Sequence, residues 1–138
     1  MLKFSNLNVF YGTSHIIHGL DLEIRKGETF CILGRNGVGK TTLLRSLLGI
    51  DVRTTGRIEL EGADISRDLT FERARKGIGY VPQGREIVPG LTVHENILLG
   101  CNARSDGRTE VPPLVWTLFP FLRDHLGRRG TNLSGGQQ

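Results

Sequence analysis

Apolar and polar positions along the chain fall into short stretches of two different periods. Leu2 to Val9 reads as a strand. Leu20, Leu22 and Ile24 alternate with Asp21, Glu23 and Arg25, the period of a half-exposed strand, and Lys26-Gly27-Glu28 turns the chain. Thr29 to Leu33 is a short, continuous, β-prone run, which predicts a strand buried on both faces. A glycine-rich stretch follows, and then a helix whose single apolar face carries Leu43, Leu44, Leu47 and Leu48, stopped by Gly49. Arg57 to Glu61 alternates again and ends at Gly62. Thr70 to Lys76 predicts a short helix with Thr70 as N-cap and Gly77 as stop. Ile78 to Val81 predicts another strand, closed by Pro82. Thr92 and Glu95 match a capping box, so a helix runs from Val93 to Leu99. Residues 101–111 read as a polar surface loop. Pro112 and Pro113 start a helix, Pro120 breaks it into two short pieces, and Gly127 to Asn132 is loop.

Composition narrows the class. With 38% hydrophobic and 23% charged residues, the 138-residue chain reads as one soluble, globular domain. No stretch approaches the ~20 consecutive apolar residues that span a membrane, and the first ten residues lack a signal peptide's apolar core. A cytoplasmic location is therefore expected, with membrane contact made through partner subunits. The net charge of +4 comes without basic runs or aromatic–basic interleaving, so nucleic acid is not an expected partner. Cys31 and Cys101 lack metal-ligand spacing, and no disulfide is expected. Cys31 lies in the apolar run and is expected to be a small buried hydrophobe. His15, His18, His94 and His125 form no ligand motif.

Chemistry enters at Gly34-Arg35-Asn36-Gly37-Val38-Gly39-Lys40-Thr41, which fits G-x-x-x-x-G-K-[ST] at every fixed position. A predicted strand precedes it, and the leucine-faced helix beginning around Thr42 follows. A triphosphate is a dense anion that needs many donors at close range. Glycines let successive N–H groups curl inward as a nest, and the helix N-terminus adds its dipole. Lys40 places a charge at the β and γ phosphates, and Thr41 offers a hydroxyl to Mg²⁺. This pattern establishes a nucleotide-phosphate site without separating the P-loop families from one another.

Leu133-Ser134-Gly135-Gly136-Gln137 supplies the separation. A phosphate loop followed downstream by LSGGQ resembles the ABC ATPase family. The resemblance implies an α/β P-loop fold of the ABC ATPase type, with an antiparallel β subdomain and the start of a helical subdomain. Residues 1–90 are then the ATP-binding core portion, and 91–138 the helical portion ending in the signature. It further implies that Ser134, Gly135, Gly136 and Gln137 cover the γ-phosphate of ATP held by a second subunit. Residues Gly34 to Thr42 hold the phosphates, Tyr11 stacks on adenine, and Gln83 reaches Mg²⁺ and the attacking water. The cofactors implied are ATP and Mg²⁺. The partners implied are a second ATP-binding subunit, integral membrane permease subunits and, indirectly, a solute-binding protein.

The stretches GRNGVGKTTLL, GIGYVPQGREIVPGLTVHENILLG and LFPFL…LGRRG…LSGGQQ look like the ATP-binding subunits of branched-chain amino-acid and urea importers. The Arg35-Asn36 pair and the run Pro82-Gln83-Gly84-Arg85-Glu86 favour the urea type. An ABC domain next supplies an apolar strand ending in Asp and Glu, and these 138 residues contain no run of four apolar residues followed by Asp-Glu. The expectation is an N-terminal portion without the rest of the core, inactive alone, with Thr29–Leu33 lacking a neighbour and LSGGQQ a frayed end. Two other readings follow from the same residues: a short non-catalytic nucleotide-binding module, and a soluble ABC ATPase outside transport.

Overall fold

The opening alternation becomes a hairpin. In the computed structural model, which describes residues 1–84, 86–104 and 106–136, β1 (Leu2–Tyr11) pairs antiparallel with β2 (Ser14–Ile24), from Leu2↔Ile24 to Tyr11↔Ser14. Gly12, at φ 54°, supplies the positive φ that so tight a turn needs. β3 (Arg53–Leu60) pairs with the other edge of β1, and β4 (Ala63–Asp64) returns through Glu61-Gly62, giving a four-stranded antiparallel sheet in the order β2-β1-β3-β4. Phe4, Leu7, Val9 and Ile58 are buried; Leu7 and Val9 keep the period of two, and the pairing shifts between Phe4 and Leu7, where that period is broken. The helix α1 (Lys40–Leu48) contacts β1, β2 and β3, and its buried residues are Thr42, Leu43, Ser46 and Leu48.

The C-terminus of α1 is closed twice. Gly49, at φ 71°, lets the Ile50 N–H reach the Arg45 carbonyl at 3.0 Å, with Gly49 N–H on Ser46 at 3.3 Å, a Schellman arrangement. Arg73, 2% exposed on the short helix α2 (Thr70–Arg75), then donates to the Ser46 and Leu47 carbonyls, both at 2.8 Å. The same guanidinium donates to the carbonyls of Asp68 and Ser66 at 3.0 Å each. Thr70 does not cap α2: its hydroxyl bonds the Gly49 carbonyl, while the Glu72 carboxylate reaches back to the Leu69 N–H at 2.7 Å.

Two compact units divide the chain, Met1–Ala74 and Arg75–Gln138. The second is mostly short helices. Thr92 and Glu95 form the expected capping box for α3 (Val93–Leu99), with Glu95 bonding the Thr92 N–H at 2.7 Å and its hydroxyl at 2.8 Å. A 3-10 turn, Gly100–Ala103, buries Cys101 inside the stretch expected to be plain surface loop. Pro113 opens α4 (Pro113–Leu118), and a separate 3-10 turn begins at Pro120, as a ring that cannot continue an α-helix dictates.

Two expected strands are absent among the described residues. Thr29–Leu33 and Ile78–Val81 have no ladder partners, and Leu33 and Val81 are 87% and 88% exposed. A strand is defined by its neighbours, and no segment pairs with either one. Cys31 is consequently exposed rather than buried, and Leu44, expected on the apolar face of α1, is exposed too. Both cysteines are free.

Candidate phosphate site

The loop 34–39 curls between the extended run and α1. Gly37 and Gly39 hold φ 85° and 98°, conformations that a side chain resists. Gly39 is also the N-cap of α1, without a side-chain cap, and the first turn carries no acidic residue. The positive end of the helix is thus offered to an external anion rather than consumed by the protein. Lys40 Nζ donates to the carbonyls of Gly34 and Arg35, both at 2.7 Å. One ammonium thereby gathers the start of the loop over the helix end. These exposed bonds are ones that a phosphate oxygen can replace. Arg35, Asn36, Val38 and the Thr41 side chain are exposed, so the loop is open to a ligand. A Cβ on Gly34 would come within 3.0 Å of Val38 Cγ2, which keeps that position small.

The hairpin supports this loop through residues that the motif reading did not single out. A Cβ on Gly39 would meet Ile16 Cγ2 at 3.4 Å and Ile17 Cγ1 at 3.5 Å. In a regular strand, consecutive residues face opposite sides, yet both isoleucines flank one glycine. The register explains it: the pairing shifts between Val9↔Ile17 and Phe10↔His15, so β2 carries an extra residue there. Tyr11, half-buried, sits at the end of β1 beside this bulge, opposite Ser14. The adjacent apolar pair followed by His18-Gly19 was the available signal, since it breaks the alternation.

The remaining predicted residues belong to the second unit. Gln83 lies exposed in a turn, followed by Gly84 at φ 98°. Asn96 holds the segment after it, accepting from Val88 N–H at 2.8 Å and donating to the Thr92 carbonyl at 2.9 Å. Ser134, Gly135 and Gly136 are exposed, and the two glycines form a turn rather than the first turn of a helix. Leu133 is half-buried and lines an apolar cavity of about 270 Å³ with Val93, Phe119, Phe121 and Leu122. Arg85 and Gln137, also singled out in the sequence, lie outside the described residues. Among the described residues, no group of three or more His, Cys, Asp or Glu could hold a metal ion, and no helix is long and apolar enough to cross a membrane.

Comparison with known proteins gives this geometry its family. Residues 17–138 match the ABC transporter family. The chain is 34% identical to the high-affinity branched-chain amino acid transport ATP-binding protein BraG of Pseudomonas aeruginosa, across 100% of this chain and 60% of that protein. It is 39% identical to the Nod factor export ATP-binding protein I of Paraburkholderia xenovorans, across 99% of this chain and 45% of that one. The ADP conformation of an ATP-binding cassette of an ABC transporter superposes with a TM-score of 0.76 at 27% identity, covering 99% of this chain and 60% of the other. The chain thus spans 60% or less of the length of these three proteins. With the phosphate loop, the signature residues, the antiparallel subdomain and the matched 122-residue span (138 − 16) in agreement, the chain belongs to the ABC transporter family and has the α/β fold of its ATP-binding cassettes.

Proposed function

We propose that these residues form the phosphate-holding part of the ATP-binding subunit of an ABC importer. The observation that carries this reading is the uncapped N-terminus of α1, with Lys40 gathering the loop carbonyls above it. In this reading the backbone of Gly34 to Thr42 cradles the phosphates, Lys40 bears on the β and γ groups, and Tyr11 stacks on adenine. Thr41 and Gln83, each exposed in its own unit, are each proposed to offer an oxygen of the kind that Mg²⁺ takes. Bound MgATP supplies the cleavable γ-phosphoryl group. Ser134, Gly135, Gly136 and Gln137 face the nucleotide of a second ATP-binding subunit, and permease subunits anchor the pair at the cytoplasmic face of the membrane.

The cargo proposed is a small solute. The printed name of the Pseudomonas relative supports a branched-chain amino acid, and the run from Pro82 to Glu86 supports urea. A relative named for Nod factor export, at higher identity, carries similar residues under a different cargo name. ATP turnover by these 138 residues alone is expected to be negligible, because they hold no apolar strand ending in Asp-Glu to supply a base.

Titration of the chain with a fluorescent ATP analogue in the presence of Mg²⁺ tests the reading. Lys40→Ala should weaken binding by about tenfold or more, the loss of one charge-assisted contact of about 1.5–3 kcal/mol. Equal affinity of the variant and the wild-type chain would overturn it; turnover that Lys40→Ala abolishes would overturn only the expectation of negligible hydrolysis.

A further inference from the structure

The hairpin that packs against the phosphate loop contains a polar knot centred on Asn8. Asn8, on β1, makes three side-chain hydrogen bonds: its Nδ2 donates to the Asn6 carbonyl at 2.9 Å, and its Oδ1 accepts the Gly19 N–H at 2.9 Å. The same Oδ1 lies 3.0 Å from His15 Nε2. The first two bonds fix the amide orientation, so His15 Nε2 must be the donor in the third. Asn6 itself stands at φ 46°, with its N–H bonded to the Asp21 carboxylate at 2.8 Å.

These partners are not scattered. The β1–β2 register shifts between Phe4 and Leu7, between Leu7 and Val9, and between Val9 and Phe10. Each shift leaves backbone groups without ladder partners. Asn8 sits among all three and supplies what the ladder omits: a donor for Asn6, an acceptor for Gly19 at φ 55°, and a tether on His15. His15 is further held between the Phe10 ring, stacked at 4.2 Å, and the His18 ring at 3.7 Å.

The consequence lies at the tip of the hairpin. A change of register at the last of these shifts would move Ser14 off Tyr11. We infer that Asn8 is a positioning residue for the nucleobase end of the site: it pins the bulges whose register sets Tyr11 opposite Ser14 at the tip of the hairpin. This rests on the proposed nucleotide site, and it assigns to one asparagine an effect on base recognition that is separable from phosphate recognition.

The test separates the two ends of the ligand. Affinities of the full chain for MgATP and for inorganic tripolyphosphate with Mg²⁺ are measured by competition against one fluorescent nucleotide. Asn8→Ala should lower the ratio of ATP to tripolyphosphate affinity about tenfold, the worth of one stacked base. Tripolyphosphate binding should stay within about twofold of the wild-type chain, well below that tenfold step. Asn8→Asp keeps the acceptor for Gly19 and His15 but not the donor to Asn6, so its ratio should fall between the two. A general structural defect moves both ligands together and would overturn the inference, as would an unchanged ratio in both variants. Failure of the wild-type chain to bind tripolyphosphate would instead remove the site itself, and the inference with it. Where Asn8→Ala does not fold, the ratio for Asn8→Asp and the exchange of its Gly19 amide decide: an unaltered ratio overturns the inference.

Discussion

Replacing Arg73 by Met should destabilise the first unit by roughly 2–3 kcal/mol. The guanidinium makes four hydrogen bonds to backbone carbonyls, of Ser46, Leu47, Ser66 and Asp68, and is almost wholly buried. Two of those carbonyls belong to the last turn of α1, where four acceptors lack partners within the helix. A thioether fills the space but donates nothing. The buried Ser46 acceptor keeps only the long 3.3 Å bond from Gly49, which accounts for about 1–2 kcal/mol of the loss. The three part-buried carbonyls can recruit water, so each adds only about 0.5 kcal/mol. Offsetting this, Met removes the cost of desolvating a cation; burial already pulls the Arg73 guanidinium below its ordinary value, with Asp68 acting the other way. Arg73→Lys keeps the charge, but a point ammonium cannot span four carbonyls arranged around a planar fork, so it should recover about half at most. Urea denaturation followed by far-UV circular dichroism gives the loss, and native-state hydrogen exchange locates it in α1. A loss below about 1 kcal/mol for Met, or a lysine variant equal to wild type, would refute the clamp.

Two further perturbations follow from local geometry. Gly56→Ala should destabilise the sheet by about 2 kcal/mol or more: a Cβ there would stand 2.2 Å from the Asn6 carbonyl oxygen, at φ 92°, and a thermal melt indistinguishable from wild type would contradict the bulge geometry. Hydrogen bonds from Arg104 and from the Arg108 N–H lower the Asp106 carboxyl from its ordinary 3.8 to about 2. With the folded value depressed, the tether of this loop is complete above pH 3.8 and is lost as pH falls through about 2. Carboxyl carbon chemical shifts across that window check it, and a midpoint at 3.8 or above would show that the contact does not form.

What the sequence made legible divides by the range of the forces involved. The capping box at Thr92 and Glu95, the proline starts at Pro113 and Pro120, and the glycine stop at Gly49 are settled by atoms within a few residues, and each appears where the pattern placed it. The phosphate loop belongs to this group, because positive φ at Gly37 and Gly39 and an uncapped helix start are local properties. Thr29–Leu33 is the counter-case. Its composition is that of a buried parallel strand, but composition only makes a strand possible; lateral hydrogen bonds make one actual, and its backbone meets none among the described residues. Leu33 and Cys31, within that unpaired run, are exposed. The hairpin shows a second limit of short-range pattern. Strict alternation predicts Ile16 and Ile17 on opposite faces, and only the cross-strand register reveals the extra residue that sets both against Gly39. Asn8 escaped notice for the same reason: a polar residue in a strand reads as a solvent-facing position until its partners at Asn6, His15 and Gly19 are known, and the two on β2, His15 and Gly19, are brought to it by pairing. The loop that would grip phosphate is therefore written in one contiguous octapeptide, while the platform beneath it depends on a register that no short window contains.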